Sequence, residues 1–184
     1  MLQRRAFTLC LLLAAAFAAA PGFAPAPAFA HGPTPQRADE TLVIAAPPEA
    51  VWAVLSRFGG MGEWHPLVKK LEATGGDAAG AERVVTLEKG EIKEGLDEID
   101  PAAHRISYRL LTENAEAIPV SFYTQTIEVK PDGAGSLVTW DARFYRADTT
   151  NEPPEDRNDA AAVAAMTDFI QQGLKGLQAK VTGK

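Results

Sequence analysis

Between Leu67 and Arg146 the chain alternates apolar β-branched or aromatic residues with polar ones. Turn chemistry interrupts that alternation at Gly75-Gly76-Asp77, Lys89-Gly90, Pro101-Ala102-Ala103 and Pro131-Asp132-Gly133. Period-two patterning with such punctuation predicts successive antiparallel hairpins, with strands over 67–74, 82–88, 91–100, 105–113, 120–130 and 136–146. Ahead of them, Glu40 to Ala45 carries Leu42, Val43 and Ile44 as a further short strand. Pro47-Pro48 then opens a helix with Val51, Trp52, Val54 and Leu55 on its apolar face. The glycine-rich connector from Phe58 to Pro66 predicts a second short helix or turn that the proline stops. Beyond Pro153-Pro154 the period changes. Asn158 is placed to cap a helix along which Val163, Met166, Ile170, Leu174, Leu177 and Val181 recur every three or four positions, one continuous apolar stripe. Gly173 and Gly176 each weaken that helix by roughly 1 kcal/mol relative to Ala, so they predict close backbone approach to the sheet.

The order is therefore strand, two short helices, six antiparallel strands and one long C-terminal helix: an α+β fold with a curved sheet of about seven strands wrapped around that helix. A strongly curved sheet can leave space beneath a helix laid across it, and a ligand would lie there. Strand phase selects the side chains that face this space, because residues two apart share a face. Val138, Trp140, Ala142 and Phe144 form one face of the last strand; Tyr123, Gln125, Ile127 and Val129 share a face of the strand before it, and Ile106, Tyr108 and Leu110 of the one before that. The expected cavity wall is Tyr108, Tyr123, Gln125, Trp140 and Phe144, with Met166 and Ile170 of the helix above and Trp52, Phe58, Trp64 and His65 towards the mouth and rim. Such aromatics can equally fill a core. Two tyrosines and a glutamine turned inward need hydrogen-bond partners, which a ligand or ordered water would supply.

The first thirty residues stand apart from this pattern. Arg4 and Arg5 precede a weakly apolar run from Ala6 to Ala20, shorter than a bilayer span of about 20 residues, and Ala28-Phe29-Ala30 has the small-x-small form that signal peptidase accepts. Residues 1–30 read as an export signal cleaved after Ala30, residues 31–37 as an extended tail containing Pro33 and Pro35, and residues 38–184 as one domain. Arg4-Arg5-Ala6-Phe7 also resembles a twin-arginine signal; either export route ends outside the cytoplasm. The expected location is the periplasm, with no membrane insertion once the signal is removed.

Composition narrows the function classes. The formal charge is −6, and becomes −8 when Arg4 and Arg5 leave with the signal, so the basic footprint that nucleic acid requires is missing. Cys10 is the single cysteine and lies inside the signal, which excludes a disulfide and a thiolate zinc site from the exported chain. The three histidines, His31, His65 and His104, have no metal-ligand spacing, and no nucleophile elbow or phosphate-cradling glycine motif is present. No cofactor is expected. His31 would become the amino terminus, where the amine and imidazole together form a weak candidate copper chelate; an extended tail is the plainer reading. For acid–base chemistry the weak candidates are Glu94, Tyr108 and Tyr123. Glu91/Glu94 and Asp97/Glu98 lie on a strand whose alternate residues meet solvent, but an inward Glu94 could act as a base.

Several of these stretches resemble a known superfamily. Ala45-Ala46-Pro47-Pro48-Glu49-Ala50-Val51-Trp52, Phe58, Glu63-Trp64-His65-Pro66, Tyr108, Pro119, Tyr123, Val138-Thr139-Trp140 and Phe144 resemble the START-like polyketide cyclase/dehydrase (SRPBCC) superfamily, whose helix-grip fold is the expectation for Asp39 to Val181. More narrowly, His31-Gly32-Pro33-Thr34-Pro35-Gln36, Trp64-His65-Pro66 and the segment from Asp148 through Val163 are similar to the MxaD-like group of periplasmic accessory proteins of bacterial methanol oxidation. That resemblance implies a non-catalytic protein assisting a quinoprotein methanol dehydrogenase, and a contact with its c-type cytochrome acceptor. The charge of −8 favours a basic dehydrogenase surface and repels an acidic cytochrome, so the dehydrogenase is the expected direct partner. A periplasmic carrier of a small hydrophobic ligand (lipid, quinone or aromatic) is the alternative, followed by a cyclase/dehydrase-type enzyme.

Overall fold

Alternation along the strands and a 3.6-residue stripe at the C-terminus resolve into two layers in the computed structural model, which describes residues 33–184. The elements run β1 Gln36–Ile44, α1 Pro48–Leu55, a 3-10 helix Phe58–Glu63, β2 Lys70–Thr74, β3 Glu82–Leu87, β4 Gly90–Asp100, β5 Arg105–Thr112, β6 Val120–Asp132, β7 Gly135–Arg146, a 3-10 turn Glu155–Arg157 and α2 Asp159–Thr182. All seven strands join one antiparallel sheet in the order β1-β7-β6-β5-β4-β3-β2. The expected α+β helix-grip architecture is what forms. Residues 1–30, read as a signal, and His31 lie outside the described residues.

Two boundaries move for local reasons. Gln36 and Arg37, assigned above to the tail, belong to β1 because β7 is long enough to pair them with Phe144 and Arg143. The strand expected from Leu67 starts only at Lys70, since the Val68 amide is spent on a turn, donating to the His65 carbonyl at 3.1 Å.

Helix α2 starts where the Asn158 side chain accepts from the Ala161 amide at 2.9 Å, a cap worth about 1 kcal/mol, and it ends at Gly183 with φ +70°. Met166, Ile170, Leu174 and Leu177 of the predicted stripe are buried, joined by Phe169, and each large side chain contributes roughly 1.5–3 kcal/mol of burial. The two helix glycines do mark close approach, but chiefly to the connector. A Cβ on Gly176 would collide with the Trp64 carbonyl oxygen, and one on Gly173 would lie 2.6 Å from the Trp140 ring and 2.8 Å from His65. The Trp64-His65-Pro66 segment is thus clamped directly onto the helix backbone.

Candidate functional site

Strand phase places a polar cluster at the centre of the sheet's inner face. In β3 the buried positions are Arg83, Val85 and Leu87; in β4, Ile92, Glu94 and Leu96 share the inward phase, and Arg83 stands directly opposite Glu94 in the register. Their side chains form a buried ion pair, Arg83 Nε to Glu94 Oε2 at 2.5 Å, with side-chain exposures of 3% and 0%. Arg83 Nη1 also donates to the Phe58 carbonyl at 2.8 Å, and the guanidinium lies 4.2 Å from the Phe58 ring centre and 4.5 Å from that of Tyr108. Arg83 Nη2 finds no acceptor among the described residues, which leaves those two π faces as its remaining electrostatic partners. Burial alone lowers the Arg83 pKa, yet the adjacent Glu94 carboxylate outweighs it and the net direction is up.

The Tyr123 hydroxyl donates to the other Glu94 oxygen, Oε1. Deep burial, and then the Glu94 charge, push the Tyr123 phenol well above its ordinary pKa; the same two causes raise Tyr108. Both phenols stay protonated at any working pH. Beside this cluster, Gln125 Oε1 accepts from the Trp140 indole at 2.6 Å and from the Tyr108 hydroxyl at 3.3 Å. The hydrogen-bond demand expected to be met by a ligand or water is therefore met by Glu94 and Gln125.

The cavity wall expected from strand phase is a packed interior. Tyr108, Tyr123, Gln125, Trp140, Phe144, Met166 and Ile170 are all at most 1% exposed, and Phe58 and Trp64 join them inside rather than standing at a mouth. Phe58 covers Arg83, and Trp64 meets Trp140 edge-on at 6.2 Å. Trp52 lies elsewhere, half-buried and stacked 5.5 Å from His104 at the β4–β5 turn. His65 is buried, not at a rim: Nε2 donates to the Phe169 carbonyl at 3.1 Å, Nδ1 accepts from the Leu67 amide at 3.3 Å, and the ring lies 4.1 Å from Phe169. Burial pushes its pKa down to about 3, so the imidazole is neutral. Glu94 faces inward as expected, with Oε2 on Arg83 and Oε1 on the Tyr123 hydroxyl.

Sequence reasoning missed Arg83. The signal was present: the alternation that sends Val85 and Leu87 inward carries Arg83 with them. It was masked because a long cationic side chain reads as solvated unless its cross-strand neighbour is considered.

An open space does lie between α2 and the sheet, towards the β3–β4 turn and the β5–β6 loop. It measures about 360 Å³, is walled by Leu67, Leu87, Ile118, Pro119, Ala165 and Phe169, and carries Lys69, Glu88 and Asp168 at its edge. It is apolar with a charged border, the usual make-up of a site for a small hydrophobic molecule. None of the residues expected around a cavity lines it, because the large aromatics fill the centre and leave room only at this end. Among the described residues, no group of three or more His, Cys, Asp or Glu is placed to hold a metal ion.

Comparison with known proteins fits this geometry. The fold is shared with an uncharacterized protein of Bacillus thuringiensis (TM-score 0.66, 23% identity, 80% of this chain and 99% of that one). It is shared also with the protein XoxI of Bacillus cereus (TM-score 0.65, 23% identity, 79% and 95%). A third likeness is to a norcoclaurine synthase point mutant of Thalictrum flavum in complex with a transition-state analogue (TM-score 0.65, 19% identity, 82% and 96%). No curated protein matches the chain by sequence. Residues 35–182 match the profile described as polyketide cyclase / dehydrase and lipid transport, and the chain belongs to that family.

Proposed function

We propose that this protein is an exported, non-catalytic binding protein that takes a small apolar molecule into the space beneath α2 and serves as an accessory to a quinoprotein methanol dehydrogenase. The observation that carries the binding reading is the contrast between the space and its surroundings: about 360 Å³ walled by Leu67, Leu87, Ile118, Pro119, Ala165 and Phe169. The acid–base candidates Glu94, Tyr108 and Tyr123 are spent on one another, on Arg83 and on Gln125. A catalyst needs a titratable group within reach of its substrate and near its working pKa. Here both phenols are driven upward and the carboxylate is ion-paired.

Native mass spectrometry of protein purified from its own periplasm tests the binding reading. A retained organic molecule of small mass, absent from the Ala165→Trp variant in which an indole occupies the space, is the expected result. An equal load on both variants contradicts the site. Turnover of a cyclic substrate that disappears in Glu94→Gln and Tyr108→Phe, with both variants still folded, would establish the enzyme reading instead.

The accessory reading is supported by the likeness of the His31–Gln36, Trp64–Pro66 and Asp148–Val163 segments to the MxaD-like group, and by the charge of −8 on residues 31–184. Titration calorimetry at low salt with the purified dehydrogenase and with its cytochrome tests it. Binding to the dehydrogenase is expected; binding to the cytochrome alone contradicts it.

A further inference from the structure

The outer face of the sheet is covered with paired charges, and one aromatic interrupts it. Phe122 is 71% exposed, Leu111 beside it is 41% exposed, and the two share a surface groove with Leu110, Thr112 and Glu113. Phe122 sits in the bulge of β6, where the register against β7 shifts between Ser121 and Thr124, and its φ is +49°. The bulge has a clear structural role: it resets the phase of β6 so that Val120 and Tyr123, three positions apart, both turn inward, which brings Tyr123 to Glu94. It requires a residue in the left-handed region, where Gly or Asn is at ease and a bulky side chain is disfavoured. Nothing in the fold requires a phenyl ring there. An aromatic that is both backbone-strained and exposed to water has the character of an interface anchor.

Charge identifies what the anchor meets. One step towards the sheet centre, Thr124 lies between Arg109, paired with Asp97, and Arg143, which shares Asp141 with Arg37 while Arg37 also pairs with Asp39, so charge there is balanced. On the other side the balance is lost. The loops 113–119 and 146–158 carry Glu113, Glu116, Asp148, Glu152, Glu155 and Asp156 against two arginines. Of those two, Arg146 is buried and Arg157 is paired with Glu116. The loops adjoin the bulge: Val120 pairs with Arg146, and the Ala147 amide donates to the Pro119 carbonyl at 3.1 Å.

We infer that the Phe122 bulge and the acidic loops beside it form a docking surface for a protein partner that presents an apolar socket ringed by lysine and arginine. The ring enters the socket and supplies the desolvated centre; the carboxylates steer the approach and set the register of the rim. This deepens the accessory reading and rests on it only for the identity of the partner.

The test places the photo-crosslinking residue p-benzoylphenylalanine at position 122 of the full chain in its own cells, with the same residue at Thr41 on the far side of the sheet as the control. A discrete adduct specific to position 122, whose attached peptide combines apolar residues with lysine or arginine, is expected. The captured partner, once purified, should bind Phe122→Asn at least tenfold more weakly than wild type, and both should weaken as salt rises. Asn keeps the left-handed bulge, so the melting temperature should be unchanged or higher. Failure to exceed the Thr41 control, an acidic attached peptide, a second copy of this chain as the adduct, or equal affinity for Phe122→Asn would each overturn the inference. A basic partner other than the dehydrogenase would uphold the surface while removing the dehydrogenase from the account.

Discussion

The centre of the sheet and its open end are built from the same strands and the same helix, yet they treat polar groups in opposite ways. At the centre two enclosed hydrogen-bonded groups, Arg83–Glu94–Tyr123 and Tyr108–Gln125–Trp140, meet where the Arg83 guanidinium lies over the Tyr108 ring. At the end, Lys69, Glu88 and Asp168 stay at the border of an apolar space and leave its walls to Leu67, Leu87, Ile118 and Phe169. Burying ions costs several kcal/mol each and is tolerated only where their partners are fixed. The central network therefore specifies how β3, β4 and β6 come together, whereas the unfilled apolar walls are the part of the interior still able to take a guest.

The largest expected effect breaks the central region. Arg83→Met leaves the Glu94 carboxylate buried without its cation, at a cost of about 3–5 kcal/mol in urea unfolding, while adding Glu94→Leu recovers most of the loss. A loss under about 1 kcal/mol for Arg83→Met would show that the pair is not enclosed.

Acid should act at the junction of the two regions, through His65. Its folded pKa, about 3, lies below the unfolded value of about 6.5, so only the unfolded state takes up the proton between those two pH values. The stability that depends on neutral His65 is complete above pH ~6.5 and is lost as pH falls towards 3, with a slope of at most about 1.4 kcal/mol per pH unit. His65→Gln should flatten that part of the profile; an unchanged slope would mean that His65 is not the group being titrated.

Smaller effects come from the clamp. Gly176→Ala adds a methyl where the Trp64 carbonyl already lies, and the expected loss is about 1–3 kcal/mol despite the better helix propensity of Ala. A gain in stability would show that the connector is not seated on α2. Smallest is Phe122→Asn, which relieves a left-handed backbone and should leave stability unchanged or raise it by up to about 1 kcal/mol in thermal unfolding.

How far each region was legible from sequence follows from what burial rewards. Alternation and the stripe from Val163 to Val181 announced the sheet and α2, because apolar side chains must face the core whatever the details. The inward turn of Trp140, Tyr123 and Gln125 was legible for the same reason. Arg83 was not, since an inward cation is rescued only by Glu94, eleven positions away and opposite it in the register. Nor was the position of the open space legible. It depends on how much volume Phe58, Trp64 and Trp140 jointly fill, which is a three-dimensional sum that no strand reveals alone. The bulge at Phe122 was hidden because Ser121, Tyr123 and Gln125 keep a period of two in the sequence, whereas in the register it is Val120 that shares the inner face with Tyr123.

The central claim is that the middle of the molecule is closed and its end is open. Backbone amide NMR during titration with 1-anilinonaphthalene-8-sulfonate tests it directly. The account predicts shifts concentrated at Leu67, Leu87, Ile118, Ala165 and Phe169, with Glu94, Tyr123, Gln125 and Trp140 unmoved. Shifts centred on Tyr123, Gln125 and Trp140, with the end residues silent, would contradict it.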